Sequence, residues 1–137
     1  MNAALGPALI AAAGCIVALL GSIHLLYTYR GPKLLPRDAQ TVERMQADTL
    51  RITRQTTLWK AWIGFNASHS LGAILFGVFY AYFALWHADW LAQSLFLRAM
   101  GLAVLAIYVL LARRYWFSIP LRGLALALLL YLAGLAL

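Results

Sequence analysis

Charge is what this chain has least of. Only 11% of its 137 residues are charged, against about 25% in an ordinary water-soluble domain, and 64% are hydrophobic. A surface facing water cannot be built from so few charges, so lipid is the solvent for most of the chain. Acid is scarcer still. Asp38, Glu43, Asp48 and Asp89 are the only carboxylate side chains, and none lies inside an apolar run. That argues against a metal shell completed by carboxylates within those runs. It also disfavours proton-coupled export of the small multidrug transporter kind, which relies on a membrane-embedded acid. Cysteine is down to one, Cys15. An intrachain disulfide is therefore excluded, and the paired-cysteine, quinone-coupled redox enzymes with four helices are disfavoured. Cys15 itself reads as a small core residue. The net charge of +7 would suggest nucleic acid only with a basic face on a soluble fold. Here topology and anionic lipid explain it better, and no nucleic-acid partner is expected.

What is abundant is apolar sequence in runs of the right length. A bilayer core about 30 Å thick takes roughly 20 residues of helix. Four such spans can be read, at about 7–29, 59–86, 90–112 and 118–137. Pro7 and Pro120 fall near span starts, where a missing N–H costs nothing. Trp59, Trp62, Trp86, Trp90 and Trp116 fall near span ends, where interfacial aromatic belts lie. The N-terminus lacks a basic leader and a small-residue cleavage site, so span one is expected to stay. The expectation is an all-α, integral membrane four-helix bundle forming one domain.

The basic residues orient it. Arg30, Lys33, Arg37, Arg44, Arg51 and Arg54 fill the connection between spans one and two, with Lys60 at its edge. Arg113 and Arg114 precede span four, and Arg122 follows its start. The positive-inside rule puts both basic loops in the cytoplasm and both termini outside. Arg98, read as roughly 12 Å into span three, is the one exception. Its expected solution is to snorkel toward the outer headgroups near Asp89; coordination of an anionic ligand is the alternative. The long loop, 30–58, opens with the turn residues Gly31, Pro32 and Pro36. Asp38 is then a suitable N-cap for a cytoplasmic amphipathic helix through "AQTVERMQADTLRITRQ", with Val42, Met45 and Ile52 on one stripe. Such a helix either lies on the membrane surface or continues into span two.

The most informative stretch is "GFNASHSLG" in span two. Asn66, His69 and Ser70 share a face at helical spacing, which continues past Ala73, Gly77 and Tyr80. Gly64, Ser68 and Gly72 form a small-residue strip of the kind that lets membrane helices approach closely. Gly14, Ala18 and Gly21 match it in span one, with His24 and Thr28 beside them. His24 lies roughly 8 Å, and His69 roughly 10–15 Å, from the cytoplasmic ends of their spans. Packing along these strips is expected to bring His24 to the Asn66/His69 face.

Three uses compete for that cluster. It can simply tie helices together, although such bonds average only about 0.6 kcal/mol, and serines bond cheaply to their own helix. It can receive a lipophilic small molecule such as a quinone or lipid, within a wall of Tyr27, Trp62, Phe65, Phe76 and Tyr80. Or it can do chemistry: haem b held by His24 and His69, or a Ser68/His69/Ser70 nucleophile, for which adjacency is not yet geometry. The binding reading takes His24, Trp62, Asn66, His69, Ser70, Tyr80 and Arg98 as candidate ligand contacts, with no catalytic or metal-ligating residue assigned.

The runs "GSIHLLYTYRGPKLLPRD" and "TTLWKAWIGFNASHSLGAILFG" resemble a family of short, four-span bacterial membrane proteins of unknown function. The resemblance covers the first two spans and their loop, and implies a bacterial inner-membrane location. In topology the chain is also similar to the microsomal glutathione-transferase-like membrane enzymes. Those carry an Arg-rich entry to span two, an Asn, and a Glu three residues later; here Lys60 precedes Asn66, and His69 stands at the Glu position. That likeness implies, as the alternative, an enzyme acting on a lipophilic substrate. Membrane lipids are expected partners. Span four, "SIPLRGLALALLLYLAGLAL", with Gly123, Ala127 and Gly134, suits lipid or another subunit, so a homo-oligomer or a membrane-complex subunit is expected.

Overall fold

The structure, a computed structural model, describes residues 4–137. Its helices are α1 (Leu5–Tyr29), α2 (Ala39–Ala47), α3 (Leu58–Trp86), α4 (Ala88–Gln93), α5 (Leu95–Tyr115) and α6 (Ser118–Ala136). Between α2 and α3 lies a small hairpin, β1 (Thr49–Leu50) with β2 (Thr53–Thr57). The four helices α1, α3, α5 and α6 are long and apolar enough to cross a membrane. Their outward faces agree with that: Phe65, Leu75, Leu110 and Leu129 are each about two-thirds exposed or more. Apolar surface on this scale is a liability in water and ordinary in lipid.

The chain forms two compact units. One comprises the chain up to Leu20 together with Ala73–Leu137; the other is Gly21–Gly72. In the first, helices meet through small residues. A Cβ added to Gly14 would stand 2.5 Å from the Gly77 carbonyl and 2.9 Å from the Ala81 nitrogen. α1 and α3 therefore touch backbone to backbone. Gly6 and Gly134 do the same for α1 and α6, where an added Cβ on Gly6 would stand 2.9 Å from the Gly134 carbonyl. Lipid supplies no hydrophobic drive between helices, so this close van der Waals contact is what holds them.

Two tyrosines close the other side of that unit. Tyr80 on α3 donates to the Leu97 carbonyl at 2.7 Å, and Tyr131 on α6 donates to the Arg98 carbonyl at 3.1 Å. Their rings meet edge to face, 5.7 Å apart, and both are buried. Gly101 on α5 leaves the room, since a Cβ there would overlap the Tyr131 hydroxyl and the Tyr80 ring. In lipid an unpaired hydroxyl has no water to turn to, and these two use helix carbonyls as second acceptor sites.

Several expectations about the elements need correcting. Span three does not run from Trp90. Ser94 breaks it, its hydroxyl accepting from the Leu97 amide at 3.2 Å as the N-cap of α5. The residues ahead of it form the separate short helix α4. Arg98 therefore sits on the first turn of α5, roughly 5 Å from its start, rather than deep in a span. Cys15 is exposed on α1, not in the core. The small strip of α3 that touches α1 in this unit is Gly77 and Ala81.

In the second unit α1 ends at Tyr29, and Gly31 follows with φ +80°, a left-handed conformation that suits glycine after a helix. Asp38 caps α2 as expected. Its carboxylate accepts from the Gln40 and Thr41 amides at 3.3 and 3.0 Å and from the Thr41 hydroxyl at 2.7 Å. The Thr41 hydroxyl, then the Gln40 amide, hold the Asp38 carboxyl below its ordinary 3.8. The expected helix through Gln55 is not formed: α2 stops at Ala47. Asp48 turns to extended backbone and its carboxylate accepts from the Thr49 amide at 2.7 Å, a local bond that competes with the helix. Thr49, Ile52, Thr53, Thr56 and Thr57 then supply β-branched side chains that fit a strand better than a helix. Leu50 pairs with Thr53 across the Arg51–Ile52 turn, and a bulge shifts the register so that Thr49 faces Thr57. Val42 and Met45 are half-buried as a stripe should be, whereas Ile52 stands 90% exposed at the hairpin tip. The loop helix is neither continuous with α3 nor long. Gly64 in this unit has nothing within 4 Å of an added Cβ, so it is not a helix-contact glycine.

Candidate functional site: a histidine–asparagine cluster

Within the second unit, the last two turns of α1 and the early turns of α3 bring three polar side chains together. His24 Nε2 lies 2.9 Å from Asn66 Oδ1, and the His24 and His69 rings meet at 86°, centroids 5.5 Å apart. The expected convergence of His24 on the Asn66/His69 face is present. All three side chains are half-buried.

The direction of the hydrogen bond follows from the helix. Asn66 Nδ2 donates to the Trp62 carbonyl one turn back, at 2.8 Å. A carbonyl only accepts, so the amide nitrogen must face it and the amide oxygen must face His24. His24 Nε2 is therefore the donor and carries the proton. The backbone of α3 thus sets the Asn66 amide, and Asn66 sets the tautomer of His24. The carbonyl of His24 in turn accepts from the buried Thr28 hydroxyl at 2.8 Å.

The neighbouring hydroxyls are committed elsewhere. Ser70, fully buried, donates to the Asn66 carbonyl at 2.7 Å, and Ser68 donates to the Phe65 carbonyl at 3.1 Å. Both bond to their own helix, so neither is held as a nucleophile against His69. Ser70 acts as packing beside the cluster. Trp62 is 41% exposed and contributes its carbonyl, and Phe65 is 76% exposed. Tyr80 and Arg98 belong to the other unit, where Tyr80 hydrogen-bonds to α5 and the Arg98 carbonyl accepts from Tyr131. Tyr131, which sequence reasoning passed over, was signalled by a lone phenol in "LALLLYLAGL".

At the same end of α1, Lys33 donates to the Tyr27 hydroxyl at 2.7 Å, its ammonium 4.1 Å from the ring centroid. Tyr27 is one turn beyond His24, so a positive charge and a phenol border the cluster. Sequence reasoning read Lys33 only as part of a topology signal. The donor set does not fit a haem between His24 and His69. The macrocycle would have to enter between the two rings, which are in edge contact, and His24 Nε2 is turned to Asn66. Comparison of the chain with protein-family models, with curated proteins and with solved structures gives no match.

Proposed function

We propose that this chain is a multi-pass protein of a bacterial inner membrane that binds a lipophilic small molecule at His24, Asn66 and His69 without transforming it. The observation that carries the reading is the pairing of His24 with Asn66 across two helices, with a second imidazole on the same spot. Polar groups are costly in lipid, and inter-helix hydrogen bonds return only about 0.6 kcal/mol on average. Two imidazoles retained in such a position are by default a functional site. The three side chains are half-buried rather than sealed, so a ligand's oxygen can reach them while its apolar body stays among the helices and acyl chains. Lys33 and Tyr27 at the border favour a carbonyl or hydroxyl head over a cationic one.

The same reading places the connection 30–57 and the α5–α6 turn in the cytoplasm and both termini outside, because ten of the eleven basic residues then lie on the positive-inside side. Membership of the short four-span bacterial family is part of the proposal, as is assembly with itself or with another membrane subunit. Impermeant thiol labelling in a Cys15→Ser background tests the orientation. A cysteine at His87 should react from outside intact inner-membrane vesicles of native sidedness, and one at Gln55 only after permeabilisation. Native mass spectrometry of gently extracted protein tests the site. The wild type should retain a small lipophilic molecule that the Asn66→Leu/His69→Leu variant, still helical and extracted equally well, does not. Identical retained masses in both, or glutathione-dependent turnover of an electrophile lost with Asn66, would overturn it.

A further inference from the structure

The first unit holds a cavity of about 290 Å³ that lies outside the histidine cluster. We infer that it is a site for the headgroup of a zwitterionic phospholipid, with Arg98 taking the phosphate and Asp89 the ammonium. The inference goes beyond the proposed binding function and uses none of its residues.

The walls come from the same end of all four spans: Gly6 at the start of α1, Ala84 near the end of α3, Arg98 on the first turn of α5 and Gly134 near the end of α6, with α4 contributing Asp89. Span ends lie at the level of lipid headgroups. Trp86 and Trp90 beside α4 are 67% and 70% exposed, as interfacial tryptophans are.

Apart from Arg98 and Asp89 the lining residues are glycine, proline, alanine, leucine and isoleucine, so two residues of opposite charge, Asp89 exposed and Arg98 half-buried, border one opening among apolar neighbours. The hydrogen bonds described nearby run through the carbonyls of Leu97 and Arg98; the guanidinium of Arg98 and the carboxylate of Asp89 take no part in them. A guanidinium matches a phosphate in geometry and charge. A carboxylate at the same rim repels a simple anion or an anionic headgroup, and attracts a headgroup that carries its own ammonium. The volume falls just below the usual range of ligand pockets, about 300 to 1,000 Å³. It suits a headgroup whose acyl chains remain in the bilayer.

The test uses the full chain in detergent, titrated separately with phosphatidylethanolamine, phosphatidylglycerol and inorganic phosphate, with bound species counted by native mass spectrometry. Phosphatidylethanolamine should bind about tenfold more tightly than phosphatidylglycerol, the worth of one charge-assisted contact. Asp89→Asn should erase that preference. Arg98→Gln should weaken both lipids about tenfold, and Arg98→Lys should recover part of the loss. Millimolar inorganic phosphate should displace neither. Equal binding of the two lipids by the wild type, displacement by phosphate, or an unchanged preference in Asp89→Asn would each overturn the assignment. Should Arg98→Gln fail to fold, Asp89→Asn on the exposed side of α4 still decides it.

Discussion

Adding one methyl group to Gly77 should separate α1 from α3. A Cβ at that position would overlap the Gly14 carbonyl and stand 2.6 Å from the Ala18 nitrogen and 2.8 Å from the Ala18 Cβ. Two of those three neighbours are backbone, so no side-chain rotation relieves them. To bring the Ala18 nitrogen to the 3.4 Å at which ordinary contact begins, the helices must part by about 0.8 Å, and a gap of that order forfeits a quarter to a half of the dispersion energy along the contact. Overpacking of this kind costs about 1–3 kcal/mol, and here there is no hydrophobic compensation from surrounding lipid. Gly64→Ala on the same helix is the control. Its Cβ meets nothing within 4 Å, and alanine is the better helix former by up to about 1 kcal/mol. Reversible unfolding in mixed micelles of rising SDS fraction, followed by circular dichroism, would give both differences. Gly77→Ala should unfold at a clearly lower SDS fraction, and Gly64→Ala at the wild-type fraction or above. If the two substitutions shift the midpoint equally, the backbone contact is not what holds these helices.

Tyr131→Phe removes a donor to the Arg98 carbonyl without leaving an unsatisfied partner, since that carbonyl also belongs to helix α5. The expected loss in the same micelle titration is about 0.5–1.5 kcal/mol, whereas Tyr131→Ala should cost at least 2 kcal/mol more, roughly the cavity term for a large ring. The Asp38 cap should be acid-sensitive. Its folded carboxyl titrates below the ordinary 3.8, so its contribution is fully present above that value and is lost as pH falls through the lowered one. Hydrogen exchange at the Gln40 and Thr41 amides, corrected for intrinsic rates, should therefore accelerate only in strong acid, and Asp38→Ala should remove that pH dependence altogether.

How legible the chain is depends on whether a signal is carried by one segment or by two. Helix α3 is expected over 59–86 and found over Leu58–Trp86, because composition and length alone define a span. The Asp38 cap was readable for the same reason, its partners being two and three residues away. The hairpin was not, because "ADTLRITRQ" has enough polar, helix-compatible residues to extend a periodic pattern. Only the bond between the Asp48 carboxylate and the Thr49 amide, and the pairing across the turn, decide against it. The break at Ser94 was hidden by apolar sequence on both sides, and moving it by five residues removes the anomaly of Arg98. In the candidate site, His24 and Asn66 could be brought together from depth and face alone. Which glycines touch could not, because Gly64 and Gly77 look alike until the crossing point of the two helices is known.

Helix α3 is also longer than it needs to be. Its 29 residues reach about 43 Å, while the hydrocarbon is about 30 Å thick. If Trp86 is anchored at the far interface, twenty residues of rise lead back to Asn66, and the turns from Leu58 to Phe65 project beyond the oil. On that register Asn66 would lie at the edge of the hydrocarbon and His69 roughly 5 Å inside it, where an amphiphile can present its head without leaving the leaflet. A nitroxide at Ala67 should accordingly be relaxed by a water-soluble nickel chelate more than one at Leu75, and equal relaxation at the two positions would refute this register.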